Sequence, residues 1–284
     1  MAGRMMLAAA RSFLHGLFFR VRNKVNKIRK RRAWRATPSH PATTYFADAY
    51  QLFEPLCVGP SSLTAACVGG RAVRGVLDVL AKLESEPYAR FVSEYYRHGL
   101  AQCGDRWVYA DLSTVLFGVT TTIPIESYLE IGVRRGRSLA IVGATSPRCA
   151  IVGFDLWVQN YAGVENPGPD FVRAEVAKVG HNGALTLVDG DSKQTVPDYF
   201  RDHPNAYFDL VTVDGDHSLR GATVDLLNVI PRIKVGGVLV FDDICSQEHP
   251  YLQGVWQRQV VQSGRFACYS FTEVGLGVAF GIKR

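Results

Sequence analysis

The sequence contains no Cys-x-x-Cys pair. Its six cysteines (Cys57, Cys67, Cys103, Cys149, Cys245 and Cys268) are scattered, and no His/Cys cluster stands at zinc-ligand spacing. Neither a disulfide framework nor a structural zinc site is indicated, and a reducing, cytoplasmic compartment fits best. No apolar run reaches the ~20 residues needed to cross a bilayer. No acidic residue precedes Asp48, whereas residues 1–35 hold eleven Lys and Arg. Removing that stretch leaves 21 basic against 26 acidic residues, a net of −5, so the overall +6 belongs to the tail. A mildly acidic body argues against a broad nucleic-acid-binding face on the folded part. With 284 residues, 47% hydrophobic and 20% charged, the chain suits one large domain with an appendage.

In "RSFLHGLFFRVRNKVNKIRKRRAWR" the residues Leu14, Leu17, Phe18, Val21, Val25 and Ile28 recur at steps of three and four between Lys and Arg. This is an amphipathic helical pattern over the basic tail, 1–35. It reads in three ways: a helix lying on an anionic membrane surface, a targeting peptide of organellar type, or a solvated tail. A cleavable secretory signal does not fit, because Arg11 and Arg20 interrupt the apolar stretch. Residues 36–110 read as a linker followed by a helical cap. "RATPSHPATT" has linker composition, and Leu77, Leu80, Leu83, Phe91 and Tyr95 recur at helical steps, with Pro87 separating two helices. Such helices would cover a sheet edge, form a lid, or make a homo-oligomer contact.

The segment assigned to the main domain is 111–284. From Ser127 onward, short β-rich runs alternate with helical segments: "SYLEIG", "AIVGFD", "LTLVDG", "FDLVTVD" and "GVLVFDD", closed by "FACYSF" and "GVAFGI". Continuous apolar strands separated by helices predict an α/β fold with a doubly wound, mostly parallel sheet, and the last two runs predict an antiparallel hairpin. In such sheets ligands bind beyond the carboxyl ends of the strands. Glu130, Gly132, Asp155, Asp191, Ser192, Asp214, Asp216, His217, Asp242 and Asp243 all fall there.

"EIGVRRG", Glu130 to Gly136, is a glycine turn without the G-x-G-x-x-G of dinucleotide sites. Asp155 follows Gly132 by 23 residues and ends the second strand, where a carboxylate accepts ribose hydroxyls. Together with "DGDS", "FDLVTVDGDHS" and "IKVGGVLVFDD", these features resemble a class I S-adenosylmethionine-dependent methyltransferase over about residues 125–284. The resemblance implies a seven-stranded sheet of Rossmann-like methyltransferase type. It implies Gly132 and Gly136 beside the methionine part of the cofactor, Glu130 supporting that turn, Asp155 on the ribose, and Asp191 with Ser192 flanking the adenine.

Several ionised carboxylates in close proximity repel, so some protonate or a cation neutralises them. Oxygen donors favour hard divalent ions, here Mg²⁺ or Mn²⁺. The pattern is similar to metal-dependent O-methyltransferases of catechol and caffeoyl-CoA type and to antibiotic-sugar O-methyltransferases, which implies Asp214, Asp242 and Asp243 as metal ligands. His217, where catechol-type relatives carry a Lys, is the candidate general base, and Asp216 is the alternative. Some of these carboxylates can instead serve as helix caps, and Ser218 reads as one. The long link "LWVQNYAGVENPG" is expected to fold over cofactor or substrate, with Trp157 and Tyr161 either stacking on a ring or packing on the sheet.

The expected activity is O-methylation of a small hydroxylated acceptor, a sugar or a phenolic compound. Two rival readings remain: metal-independent methylation of RNA, and a non-catalytic S-adenosylmethionine-binding protein attached to a membrane through its tail.

Overall fold

The structure is a computed structural model describing residues 37–45, 56–160, 163 and 165–284. The basic stretch read at 1–35 and Tyr161 lie outside the described residues. Residues Ser39–Arg284 form one compact unit. Among the described residues no helix is long and apolar enough to cross a membrane.

The strands are β1 (Ser127–Ile131), β2 (Ala150–Asp155), β3 (Leu185–Asp189), β4 (Phe208–Val213), β5 (Ile233–Asp242), β6 (Phe266–Phe271) and β7 (Val278–Lys283). They form one sheet in the order β3-β2-β1-β4-β5-β7-β6. The first five strands run parallel, and β7 runs antiparallel to both β5 and β6. The direction of winding reverses between β1 and β4, and this reversal opens a crevice at the carboxyl ends of those strands.

The helices are α1 (Pro60–Cys67), α2 (Gly70–Leu80), α3 (Pro87–Cys103), α4 (Leu112–Thr122), α5 (Arg137–Thr145), α6 (Pro169–Lys178), α7 (Ser192–Asp202), α8 (Leu219–Val229) and α9 (Leu252–Trp256), the last running into a π-helical turn at Gln257–Val261. Their starts follow local chemistry. Pro87 occupies the first turn of α3, where its missing N–H costs nothing, and Glu86 accepts from the amides of Tyr88 and Ala89. Asp111 and Thr114 form a reciprocal capping box at α4. Ser218 accepts from the Gly221 amide at 2.9 Å and caps α8.

Alternate strand residues feed two apolar layers, as the two-residue strand period requires. From β5, Val238 and Val240 join Val115, Val119 and Leu139 on one face. Leu239 and Phe241 join Val229, Val255 and Trp256 on the other, with the Phe241 and Trp256 rings stacked at 6.0 Å. Leu63, Val76 and Tyr96 of the helical segment lie in the same core as Tyr128 and Ile151. Apolar packing therefore runs across the boundary placed near residue 110. The expected linker also differs: the His40 amide donates to Val235 O at 2.7 Å, and the Thr43 hydroxyl donates to Gly236 O at 2.8 Å, tying this stretch to β5. Its polar composition is satisfied by β5 carbonyls rather than by water.

Candidate functional site

The turn after β1 is built on contact with the loop after β4. Gly132 has φ of +98°, and a Cβ there would lie 1.9 Å from Asp214 O, so both the backbone angle and the space require glycine. The Gly132 amide donates to Phe154 O at 2.9 Å, and the Asp214 amide donates to Ile131 O at 2.9 Å. Three strand ends are thus laced together at the winding reversal. Gly136, at φ of +75°, caps α5 where a Cβ would press on Val172.

Glu130 is fully buried beneath this turn. Ser138 Oγ donates to Glu130 Oε1, and the Tyr128 hydroxyl lies 2.9 Å from Glu130 Oε2 and 2.9 Å from Thr212 Oγ1. Burial pushes the Glu130 carboxyl up to about 8 against the opposing pull of the Ser138 and Tyr128 hydrogen bonds. Glu130 thereby ties β1 to the first turn of α5.

Asp155 gathers backbone amides. Its Oδ2 accepts from Arg134 N at 2.7 Å, and its Oδ1 accepts from Trp157 N at 2.6 Å. Arg134 and Trp157 both have left-handed backbone angles, φ of 53° and 49°. The carboxylate is the common acceptor that holds these two bends. Trp157 packs into the apolar core, as the second of its two readings has it. The returning part of the long link is closed by Gln159 Nε2 donating to Asn166 O at 2.9 Å.

After β3, Asp191 Oδ1 accepts from Lys193 N at 3.0 Å and caps α7. Ser192 turns inward and donates to Asp225 Oδ1 at 2.7 Å. Asp225 is buried, and burial pushes its carboxyl up to about 6. Lys193 Nζ bridges Asp191 at 3.1 Å and Asp216 at 2.9 Å. A cleft of about 560 Å³ is lined by Asp191, Lys193, Gln194, Asp216, Ser218 and Arg220. Partial burial pushes the Asp216 carboxyl up, but hydrogen bonds from Lys193 and Ser218 outweigh it and leave the group below the usual carboxylate range. That pairing weakens Asp216 as a proton acceptor, the role held open for it as alternative base. Lys193 and Asp225 carry no sequence signal of their own, because only the fold brings them to this edge.

The carboxylates after β4 and β5 converge around an imidazole. His217 Nε2 lies 3.3 Å from Asp214 Oδ1 and 3.6 Å from Asp243 Oδ2. One ligand atom from each of Asp214, His217 and Asp243 lies within 4.8 Å of the others. The group differs from the expected one in a single member: His217 stands where Asp242 was placed. Asp243 has a left-handed backbone, φ of 59°, so the chain bends sharply between the two successive Asp residues. The tip of the closing hairpin holds this bend, with Ile244 N donating to Gly277 O at 3.2 Å and Cys245 N donating to Leu276 O at 2.7 Å. Burial raises Asp242 well above the usual carboxylate range, with the Asp214 and Asp243 charges adding to it. Burial also pushes Asp243 up to about 6. The hydrogen bond to Asp214 raises His217 above its ordinary value against the opposing pull of burial, with the charges of Asp214, Asp243 and Asp216 adding to the rise. Beside it, the His249 ring lies 5.3 Å from the His217 ring, and His249 Nδ1 is 3.0 Å from the Tyr251 hydroxyl. His249 was not singled out in the sequence, where it looks like any loop histidine.

Residues 129–244 match a family model described as a methyltransferase domain. A search of curated proteins finds no match. Among solved structures, the chain is similar to the calicheamicin methyltransferase CalS11 at 18% identity and a TM-score of 0.46, covering 75% of this chain and 91% of that one. It is similar to TomG from Streptomyces achromogenes, an O-methyltransferase involved in tomaymycin synthesis solved with S-adenosylmethionine, at 19% identity and a TM-score of 0.49, covering 71% and 91%. An O-methyltransferase from Bacillus cereus in complex with S-adenosylhomocysteine matches at 15% identity and a TM-score of 0.46, covering 75% and 91%. The matched segment runs from β1 to the turn after β5 and spans the glycine turn, Asp155 and the carboxylate cluster. What the match shows is a methyltransferase domain over residues 129–244 of the chain.

Proposed function

We propose that the protein is an O-methyltransferase that moves the S-adenosylmethionine methyl group to a hydroxyl of a small sugar or phenolic acceptor, assisted by a divalent ion. The observation that carries this reading is the contact of Gly132 with the Asp214 backbone. It sets the turn that would hold the donor directly against the loop bearing the Asp214, His217 and Asp243 cluster.

The residues present fit the donor. Gly132 leaves open backbone where a side chain would intrude, and Gly136 starts the helix behind it. Asp155 Oδ1 takes the Trp157 amide and, at 3.5 Å, Asn166 Nδ2, while Oδ2 beside the Arg134 amide has a second lone pair that can accept a ribose hydroxyl. Asp191, which lines the 560 Å³ cleft, would face the adenine. Ser192, turned onto Asp225, would act by fixing the start of α7 rather than by touching the base.

They also fit an ion, since two carboxylates and an imidazole nitrogen converge at ligand spacing. Bound there, a divalent ion would act as a Lewis acid, lowering the pKa of the acceptor hydroxyl and fixing its direction. Asp214 and Asp243 supply the negative charge for that role. Asp242, which burial raises well above the usual carboxylate range, precedes Asp243 in the chain and stands outside this group. With His217 turned onto both carboxylates, the general-base role first read for it is subordinate to holding the cluster.

The test combines calorimetry with S-adenosylmethionine and methyl-transfer assays on phenolic and sugar acceptors, with and without chelator. Asp214→Ala is expected to keep donor binding within a few-fold and to lose transfer by at least a hundredfold. Full turnover in that variant would remove the metal-assisted step. Absence of any heat with the donor would remove the whole reading.

A further inference from the structure

We infer that the Asp214, His217 and Asp243 cluster is a mixed nitrogen and oxygen site for a borderline divalent ion of the iron, cobalt or zinc kind, with His217 Nε2 as a ligand. This rests on the metal-assisted reading above and departs from the all-oxygen magnesium site that the neighbouring carboxylates suggest on their own.

Three features of the cluster point the same way. Ligands bonded at about 2.1 Å around one ion are separated from each other by roughly 3.0 to 3.4 Å, depending on octahedral or tetrahedral arrangement. His217 Nε2 stands 3.3 Å from Asp214 Oδ1 and 3.6 Å from Asp243 Oδ2, close to those separations, and one ligand atom from each of the three residues lies within 4.8 Å of the others. The second feature is donor chemistry. Magnesium and calcium take oxygen, whereas imidazole suits iron, cobalt and zinc. The third is what the sharp bend at Asp243 does. It leaves Asp242, the oxygen donor that would complete an all-oxygen set, outside the group and puts the imidazole in its place.

The surroundings suit the same assignment. His217 follows Asp214 by three residues and reaches across to the strand-five loop, so one short segment spans both sides of the site. The His249 ring stacks edge-on against His217 at 5.3 Å and is itself fixed by the Tyr251 hydroxyl, which restricts how the His217 ring can turn.

The test uses the full-length protein stripped of metal and titrated with Co²⁺, Zn²⁺ and Mg²⁺ by calorimetry, with visible absorption as an independent readout for Co²⁺. Co²⁺ is expected to bind with a ligand-field spectrum of nitrogen and oxygen coordination. His217→Ala is expected to weaken Co²⁺ and Zn²⁺ by at least tenfold and to alter that spectrum, while changing the weak Mg²⁺ binding by less than threefold. Asp242→Asn, at a residue outside the ligand group, is expected to leave the Co²⁺ spectrum unchanged. Calorimetry with S-adenosylmethionine on each variant establishes that the fold is retained. Equal losses of Mg²⁺ and Co²⁺ in His217→Ala, or a spectrum lost in Asp242→Asn but kept in His217→Ala, would overturn the nitrogen-ligand assignment while sparing the metal-assisted reading. Failure of every ion to bind would overturn both.

Discussion

Gly132 and Asp214 touch through their backbones: a methyl group on the glycine would fall 1.9 Å from the Asp214 carbonyl oxygen. The end of β1 and the end of β4 approach this closely because the sheet reverses its winding between them. Gly132→Ala meets both a left-handed φ, worth about 1–2 kcal/mol for an L-residue, and a backbone atom that cannot swing away. Its total cost is expected to exceed about 3 kcal/mol, a fall of roughly 10 °C in Tm for a domain of this size. Thermal unfolding measures it, and a shift of only a degree or two would show that the contact relaxes.

Asp155 is expected to matter to the loop as much as to any ligand. In Asp155→Asn one oxygen becomes an NH₂ that faces a backbone N–H, so either the Arg134 or the Trp157 amide loses its acceptor. Hydrogen bonds to a charged group contribute about 1.5–3 kcal/mol, so S-adenosylmethionine affinity should fall roughly 10- to 100-fold. Calorimetry reads the affinity, and unchanged binding would detach Asp155 from the donor site.

Glu130 gives a pH signature. Its folded value of about 8 lies above its ordinary 4.5, so the folded state holds the proton more tightly. The stability tied to that proton is complete below the ordinary value and is lost progressively as pH rises toward about 8. Denaturant midpoints taken from pH 5 to pH 9 should therefore fall more steeply in the wild type than in Glu130→Gln, which mimics the protonated side chain. Parallel curves would mean that Glu130 is ionised throughout.

Asp111 joins α3 to the start of α4. It accepts from Thr114 N at 2.9 Å and from the Tyr109 hydroxyl at 3.0 Å, and it also receives the hydroxyl of the fully buried Tyr96. Asp111→Ala removes a helix cap worth about 1 kcal/mol and strands two hydroxyls at about 1–3 kcal/mol each. A net loss of about 3 kcal/mol or more in chemical denaturation is expected, and a loss under about 1 kcal/mol would show that water replaces the carboxylate.

The parallel strands were legible because buried strands read as short apolar runs with carboxylates at their ends, as "FDLVTVDGDHS" does. Helix α4 was not legible in the same way. "LSTVLFGVTTT" is apolar on every side and rich in β-branched residues, so it has neither a helical stripe nor helical composition. It is helical because the Asp111 cap starts it and because it is buried between α1, α2 and α5, where an all-round apolar surface is satisfied. The stretch at 39–44 looked like a linker for a related reason: its Ser, Thr and Pro give no hint of the β5 carbonyls that bind it.

Local order along the chain determined the alternation of strands and helices, the caps at Glu86, Asp111, Asp191 and Ser218, and the collection of acidic residues at one edge of the sheet. These depend on neighbours a few positions apart, and the sequence carries them directly. Which carboxylates share a site was decided only by tertiary structure. Asp242 and Asp243 are adjacent in sequence, yet the hairpin tip bends the backbone between them so that Asp243 joins Asp214 and His217 while Asp242 stays behind. That outcome is set by hydrogen bonds from residues more than thirty positions away, and no pattern within the segment itself encodes it.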